Sequence, residues 1–462
     1  MLKRKIAMAV FTAAMSSGAF AEMNDSADNA SMYQELQALK AEVAMLQSQI
    51  QTNQQHKKGQ DSQNNTDVAL EDSADLQQQS DITVPTNKGE IQNFLFSDIH
   101  DEAIPIGRLS STQFALGLLQ QRNYYSDKAL IFGGYLEINP QIWHGSTIAS
   151  NKGGDTTKPH TYQSGKGIYI TTATLYTAAN LGRYVTAQLS LSGDQDNSPK
   201  VDDALVIFGN LSDFPLYGTV GKNRIPFGSF SGGGPWTGSL TQMLFRSSRV
   251  TNASLAYYQD GLNTSITFFQ TNDHTSNGAY GVSYGGEMGQ FSYGINGGYV
   301  YNVNGTGNSS FDAITKSSDG DTAIARVGAF NVDLSLTYDL FGMGFGWAQT
   351  TNKSDVTNNA RAGAWYVQAG VSPEIYGRST NFNLAYNGAY NTSRIPITLS
   401  GSAVNSYTTD KTPGSGVNKM IIASVQRPFF TDNVLFGLEY AYMHMYNSKH
   451  SNAYTLDISI YF

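Results

Sequence analysis

Tyr454-Thr455-Leu456-Asp457-Ile458-Ser459-Ile460-Tyr461-Phe462 is the stretch that decides the fold. Tyr454, Leu456, Ile458, Ile460 and Phe462 alternate with Thr455, Asp457, Ser459 and Tyr461. A period of two sends the two sets to opposite faces of a β-strand, one apolar enough for lipid and one suited to a polar interior.

Composition extends this reading to the whole chain. The 462 residues include 46 Gly, 27 Tyr and 23 Phe, with 14% charged, a balance typical of closed sheets. Absence of cysteine removes a disulfide framework and a thiolate metal site. A formal charge of −8 argues against a nucleic-acid partner, which needs a basic face for phosphates. Beyond residues 1–21 no apolar run approaches the roughly 20 residues of a membrane-spanning helix. Any crossing must therefore be made by strands.

Four segments precede the expected barrel. Lys3, Arg4 and Lys5, an apolar stretch from Ile6 to Met15, and Ala19-Phe20-Ala21 read as a signal peptide over 1–21, cleaved between Ala21 and Glu22. In 22–51, Leu36, Val43 and Ile50 fall at heptad position a and Met32, Leu39 and Leu46 at d, a coiled-coil seam. So short a helix is marginal alone, which implies a partner. Self-association into a homo-oligomer of open number is expected, with packing on the barrel as the alternative. Residues 52–90, rich in Gln, Asn, Asp and Ser, read as a flexible polar linker, and 91–130 as a periplasmic or plug-like segment.

The expected fold is all-β: a 16-stranded antiparallel transmembrane β-barrel over 131–462. Its strands are 131–142, 168–179, 183–192, 204–210, 216–223, 254–259, 262–270, 279–287, 290–301, 329–338, 342–350, 363–371, 380–390, 419–427, 434–446 and 452–462. Short connections such as 180–182, 211–215 and 288–289 alternate with generally longer ones such as 143–167, 224–253 and 391–418, the rhythm of tight periplasmic turns and long outer loops. An even strand count puts both termini in the periplasm of a Gram-negative cell. Asp260-Gly261 predicts a type I′ hairpin. Trp143, Trp347, Trp365 and Tyr446 are expected at headgroup level.

Sixteen strands leave room for an aqueous channel. Nothing reads as an enzyme, and no cofactor is implied: the seven His lack a nucleophile–base spacing, and His144, His160 and His274 fall in expected outer loops. His444, Met445, Tyr446 and His450 fail as a soft metal site, because His444 and Met445 would point to opposite faces. Lys222, Arg224, Arg246 and Arg249, with Lys353 and Arg361, offer a positive constriction for a small anionic solute; pairing with the excess carboxylates is the alternative. Gly232-Gly233-Gly234 makes a loop permissive enough to fold inward.

Two motifs carry resemblances. The C-terminal alternation from Tyr454 to Phe462 resembles the signature that the barrel-assembly machinery recognises in outer-membrane barrels. Val220-Gly221-Lys222-Asn223-Arg224-Ile225-Pro226-Phe227-Gly228 resembles the basic-x-x-Pro-Phe-Gly strand end of substrate-selective porins. Taken with the coiled coil and tether, the architecture resembles the LbtU-type siderophore porin family, related to FslE/FupA-like outer-membrane iron-uptake proteins. That resemblance implies uptake of a ferric siderophore or iron without an energy-coupling box. A substrate-selective or general porin for small nutrients or anions, and a surface adhesin or structural outer-membrane protein, remain alternatives.

Overall fold

The computed structural model describes residues 92–93, 119, 128, 130–150, 160–195, 198–308, 310, 315, 326–354, 357, 359–395 and 416–461. The signal peptide with Ala21 and Glu22, the coiled-coil seam, the linker and Phe462 lie outside the described residues, as does most of 91–130. Within that last segment, Gln92–Asn93 pairs in parallel with Ile131 and Phe132, and Leu119 is buried.

Sixteen strands form the barrel: β1 (Leu130–Ser150), β2 (His160–Asn180), β3 (Val185–Gly193), β4 (Lys200–Gly209), β5 (Leu216–Arg224), β6 (Arg249–Gln259), β7 (Leu262–Gln270) and β8 (Ser276–Met288). The second half comprises β9 (Phe291–Val300), β10 (Ala329–Tyr338), β11 (Phe341–Thr350), β12 (Gly363–Val371), β13 (Asn381–Tyr390), β14 (Val417–Phe429), β15 (Thr431–Met445) and β16 (His450–Tyr461). Each pairs antiparallel with the next, and β16 returns to β1 from Ser451↔Gly145 to Tyr461↔Tyr135. The ring is closed.

Alternation decides what each face carries. In β16, Thr455, Asp457, Ser459 and Tyr461 are buried, whereas Tyr454 is 49% exposed and Leu456, Ile458 and Ile460 share its side. In β15, Leu438 is 59% exposed between buried Gly437 and buried Glu439. Ile142, Ile168, Leu255, Ile266, Phe268, Val332, Met343 and Leu384 continue the outward apolar belt, as a hydrocarbon surround requires. Asn139, Gln141, Thr174, Gln188, Asn252 and Asn387 represent the polar inner face.

Pro140 interrupts the closing seam. It has no N–H to donate, and β1–β16 backbone pairing lapses between Ile138↔Ile458 and Gln141↔Thr455 while the register stays the same. Lumen-facing side chains bond in and beside the gap: Asn139 Nδ2 donates to Asp457 Oδ1 at 3.1 Å within it, and Gln141 Nε2 to Thr455 Oγ1 at 2.9 Å at its edge. The Tyr135 and Tyr461 rings stack 5.0 Å apart beside them.

Three findings differ from the sequence-based expectation. Strands β1 and β2 each run 21 residues, so most of the expected 143–167 loop is a two-stranded ribbon. Roughly 9–11 residues suffice to cross a bilayer, so the excess needs no apolar alternation to betray it. Trp143 does not reach the headgroups: it shares the inward face of Tyr135, Glu137, Asn139 and Gln141 and is 5% exposed. Trp347 and Trp365 do face outward, Trp347 donating Nε1–H to Tyr390 OH at 2.8 Å and Trp365 meeting Tyr386 edge-on. Finally, the expected 224–253 connection is shortened at both ends, because β5 runs through Arg224 and β6 begins at Arg249.

Tight turns close the other end. Asp260 and Gly261 have φ of 51° and 75°, as a type I′ turn demands. At the β4–β5 turn, hydrogen bonds from Tyr184 OH and from Arg183 hold the Asp213 carboxyl below the usual carboxylate range.

Leu438→Arg would place a charge in the middle of the outward belt. It is expected to destabilise the lipid-embedded barrel by about 2–4 kcal/mol, measured as a shift in the folding equilibrium in vesicles. An unchanged equilibrium would show that this face does not meet hydrocarbon.

Candidate functional site

Between β5 and β6, residues 225–248 turn into the ring instead of away from it. Their backbone is bonded to inward side chains of β10, β13 and β15. Asp333 Oδ2 accepts from Phe230 N at 3.3 Å. Glu439 accepts from Trp236 N at 2.9 Å and from Thr237 N at 3.0 Å. Asn387 Oδ1 accepts from Leu240 N at 3.1 Å, while Asn383 Nδ2 donates to Gly233 O at 3.0 Å. Strand β13 is eight strands from β5 in a ring of sixteen, so these bonds carry the loop across the lumen.

Glycine makes the first contact possible. Gly281 on β8 and Gly298 on β9 are register partners on the inner wall. A Cβ at Gly281 would overlap the Pro226 carbonyl oxygen, and one at Gly298 the Phe227 carbonyl. The Ile225-Pro226-Phe227 backbone therefore rests directly on a strand surface without side chains.

Further along, helix α1 (Leu240–Phe245) is capped by Ser239, whose Oγ accepts from Gln242 N at 3.1 Å. Six residues are too few to persist alone, so packing must stabilise the turn. Leu240, Met243, Leu244 and Phe245 are buried in one cluster with Ala348, Ala364, Ala385, Met420, Ile422, Ala441 and Met443. Alanines on the inner wall leave the volume that the larger helix residues fill. Burial of each such side chain contributes about 1.5–3 kcal/mol.

Of the basic residues singled out in the sequence, Lys222, Arg224, Arg246 and Arg249 are each held by specific partners. Arg249 is engaged by carboxylates: Nε donates to Asp203 at 3.0 Å and Nη1 pairs with Asp202 at 2.9 Å. Arg224, its register partner, donates Nη1–H to Ser247 O at 2.9 Å, and Ser247 Oγ–H reaches Ile225 O at 3.2 Å. These two bonds staple the base of the loop. Lys222 Nζ donates to Val201 O at 2.6 Å. Arg246 ends α1, its N–H bonded to Gln242 O and its carbonyl accepting from Asn308 Nδ2 at 2.5 Å. Lys353 and Arg361 are exposed. His144, His274 and His450 are also exposed, and His444 and Met445 lie on opposite faces of β15.

Asp333, Glu439, Asn383, Asn387, Gly281 and Gly298 were not legible as functional residues. For Asp333 and Glu439 the one local signal is a polar residue in the inward slot between apolar outward ones, as in Val332-Asp333-Leu334 and Leu438-Glu439-Tyr440. Their partners lie far away in sequence, 202 residues for Glu439 and Thr237.

Gly281→Val is expected to unseat Pro226 and Phe227 at a cost of about 1–3 kcal/mol while leaving the ring intact. Trypsin cleavage after Arg246, followed by mass spectrometry on the folded barrel, should rise several-fold. Unaltered cleavage would mean that the glycine pair does not hold the loop.

The barrel can be set beside solved structures. It is similar to the outer membrane channel DcaP of Acinetobacter baumannii, 12% identical with a TM-score of 0.46, covering 72% of this chain and 97% of that one. It is similar to an anion-selective porin from Comamonas acidovorans at 11% identity and a TM-score of 0.45, covering 72% and 100%. A third, a loop L8 deletion mutant of OmpT from Vibrio cholerae, shows 13% identity and a TM-score of 0.44, covering 73% and 100%. No curated protein matches the chain. Residues 75–330 match the family described as "Protein of unknown function (DUF3573)", and the chain belongs to that family.

Proposed function

We propose that this chain is an outer-membrane channel for small polar solutes, with the 225–248 loop controlling passage from inside the ring. The supporting observation is the loop's attachment across the lumen through Asp333, Asn383, Asn387 and Glu439. A closed ring with an apolar exterior and polar inner face provides the wall. Charge-assisted bonds to backbone N–H contribute about 1.5–3 kcal/mol each, enough to keep the loop docked yet within reach of a solute-driven shift.

Several finer readings belong to the same proposal. Short turns and both termini face the periplasm, the Tyr454–Phe462 alternation is read by the barrel-assembly machinery, and the seam from Met32 to Ile50 joins copies of the chain. The cargo suggested by the resemblance of the Lys222–Gly228 motif and the overall architecture is a ferric siderophore. Arg249, held by two aspartates, lends no support to a purely anionic cargo.

Planar-bilayer recording of the purified full chain, wild type against Glu439→Ala and Asp333→Ala, tests the channel. Each substitution is expected to shift the docked-to-released ratio roughly tenfold or more, seen as larger or more frequent openings. Wild type and both variants all failing to conduct would overturn it. For the cargo, a deletion strain under iron limitation should take up less labelled iron from its siderophore. Undiminished uptake would remove the siderophore and leave the channel.

A further inference from the structure

Outside the lumen, β14, β15, β16, β1 and β2 place a band of basic and imidazole groups near their long-loop ends. Lys419 is the register partner of His444, and His444 of His450. On β1, His144 stands opposite Asn452 of β16 and Ser164 of β2, two residues from Lys166. Lys419, His450, His144 and Lys166 are exposed, and His444 is half-buried. At about 4.8 Å between neighbouring strands, the band spans roughly 19 Å of barrel wall.

Its surroundings indicate what it meets. The next outward positions toward mid-barrel are Tyr442 and then Tyr440 on β15, opposite Asn452 and Tyr454 of β16; Tyr440 OH donates to Asn452 Oδ1 at 2.7 Å, and its ring lies 5.0 Å from that of Tyr454. Ile142, Ile168 and Ile421 hold the corresponding outward positions on β1, β2 and β14, all exposed. Apolar surface, tyrosine and then positive charge is the order in which a bilayer passes from hydrocarbon to headgroup. Among the described side chains of these five strands, the carboxylates Glu137, Glu439 and Asp457 are all buried on the lumen side, so none offsets the band. Two rings are held in place, His444 Nδ1 by Asn418 Oδ1 at 2.9 Å and His144 Nδ1 by Asn452 Nδ2 at 3.4 Å.

We propose that this face of the barrel holds a phosphate-bearing lipid headgroup of the leaflet at the long-loop end. The lysines supply charge, the imidazoles and asparagines supply donors, and the tyrosines below grip the acyl–headgroup boundary. The proposal rests on the membrane placement of the barrel but not on conduction.

Native mass spectrometry of the purified full chain, titrated with diphosphorylated lipid A or with phosphatidylcholine, provides the test. Wild type should retain the phosphorylated lipid in preference to the neutral one, and retention should fall about five-fold for each lysine removed in Lys166→Gln and Lys419→Gln. Lys353→Gln, a control away from the band, should retain it fully. Heat-modifiable gel mobility verifies that each variant is folded; if one lysine variant fails to insert, the other carries the same comparison. Equal retention of both lipids, full retention by the lysine variants, displacement by equimolar inorganic phosphate, or pairing of two copies through this face in place of lipid would overturn the site. A barrel that keeps the lipid but never conducts would instead overturn the channel and leave the lipid site standing.

Discussion

Everything in this barrel depends on the antiparallel pairing of β16 with β1. Hydrocarbon offers backbone N–H and C=O groups no partner, so an open edge would leave a row of them unsatisfied at several kcal/mol each. The seam achieves closure despite Pro140, and it does so from the inside. Asn139 and Asp457 bond across the stretch where backbone pairing lapses, flanked by Gln141 with Thr455 on one side and Ser459 with Tyr135 on the other. All six face the lumen, where polar side chains are permitted; the same bridges on the outer face would have to be buried in lipid. The defect is tolerated because it is repaired on the polar side.

Closure creates an interior that must then be furnished. Sixteen strands enclose more volume than wall side chains fill, and the loop between β5 and β6 takes part of it. Two kinds of contact hold it there, and they respond differently to release. The α1 cluster favours docking in all circumstances, since exposing Leu240, Leu244 and Phe245 to a watery lumen is unfavourable. Asp333 and Glu439 add a directional contribution of about 1.5–3 kcal/mol for each charge-assisted bond, for which water in the lumen competes. Apolar packing therefore sets the resting position, and the carboxylates set its register against the wall. Glycine on both partners lets the backbones approach: Gly281 and Gly298 on the wall, and Gly232, at φ 88° against the Tyr366 ring, in the loop.

Strand count and strand order were legible because alternation is a local property. Strands 262–270, 329–338 and 363–371 have the same bounds in sequence and structure. Legibility fails where the physical constraint lapses or becomes distant. Past Ile142 the β1–β2 ribbon no longer faces hydrocarbon, so nothing selects an apolar period. Trp143 illustrates a second limit: residue type pointed to an interface, while its odd number in β1 put it on the lumen face. The loop's anchors show a third, since a carboxylate that meets a backbone N–H 202 residues away leaves no trace near either one.

That same parity separates the charges. In β16, His450 faces outward and Asp457 inward; in β15, His444 faces outward and Glu439 inward. Of the net charge of −8, residues 1–90 carry 7 Lys and Arg against 12 Asp and Glu, and the barrel sorts the remaining charges onto two surfaces that never share a solvent. The overall sign excluded a polyanionic partner as long as the chain was treated as one surface. Once the barrel sorts residues by odd and even position, Glu439 and Asp457 face the lumen, whereas His444 and His450 face outward. Moving β16 by a single residue against β1 would exchange the two, exposing Asp457 to lipid and drawing His450 inward. Register, more than composition, thus determines which charges each surroundings meets, and the seam that fixes register is the one closed across Pro140.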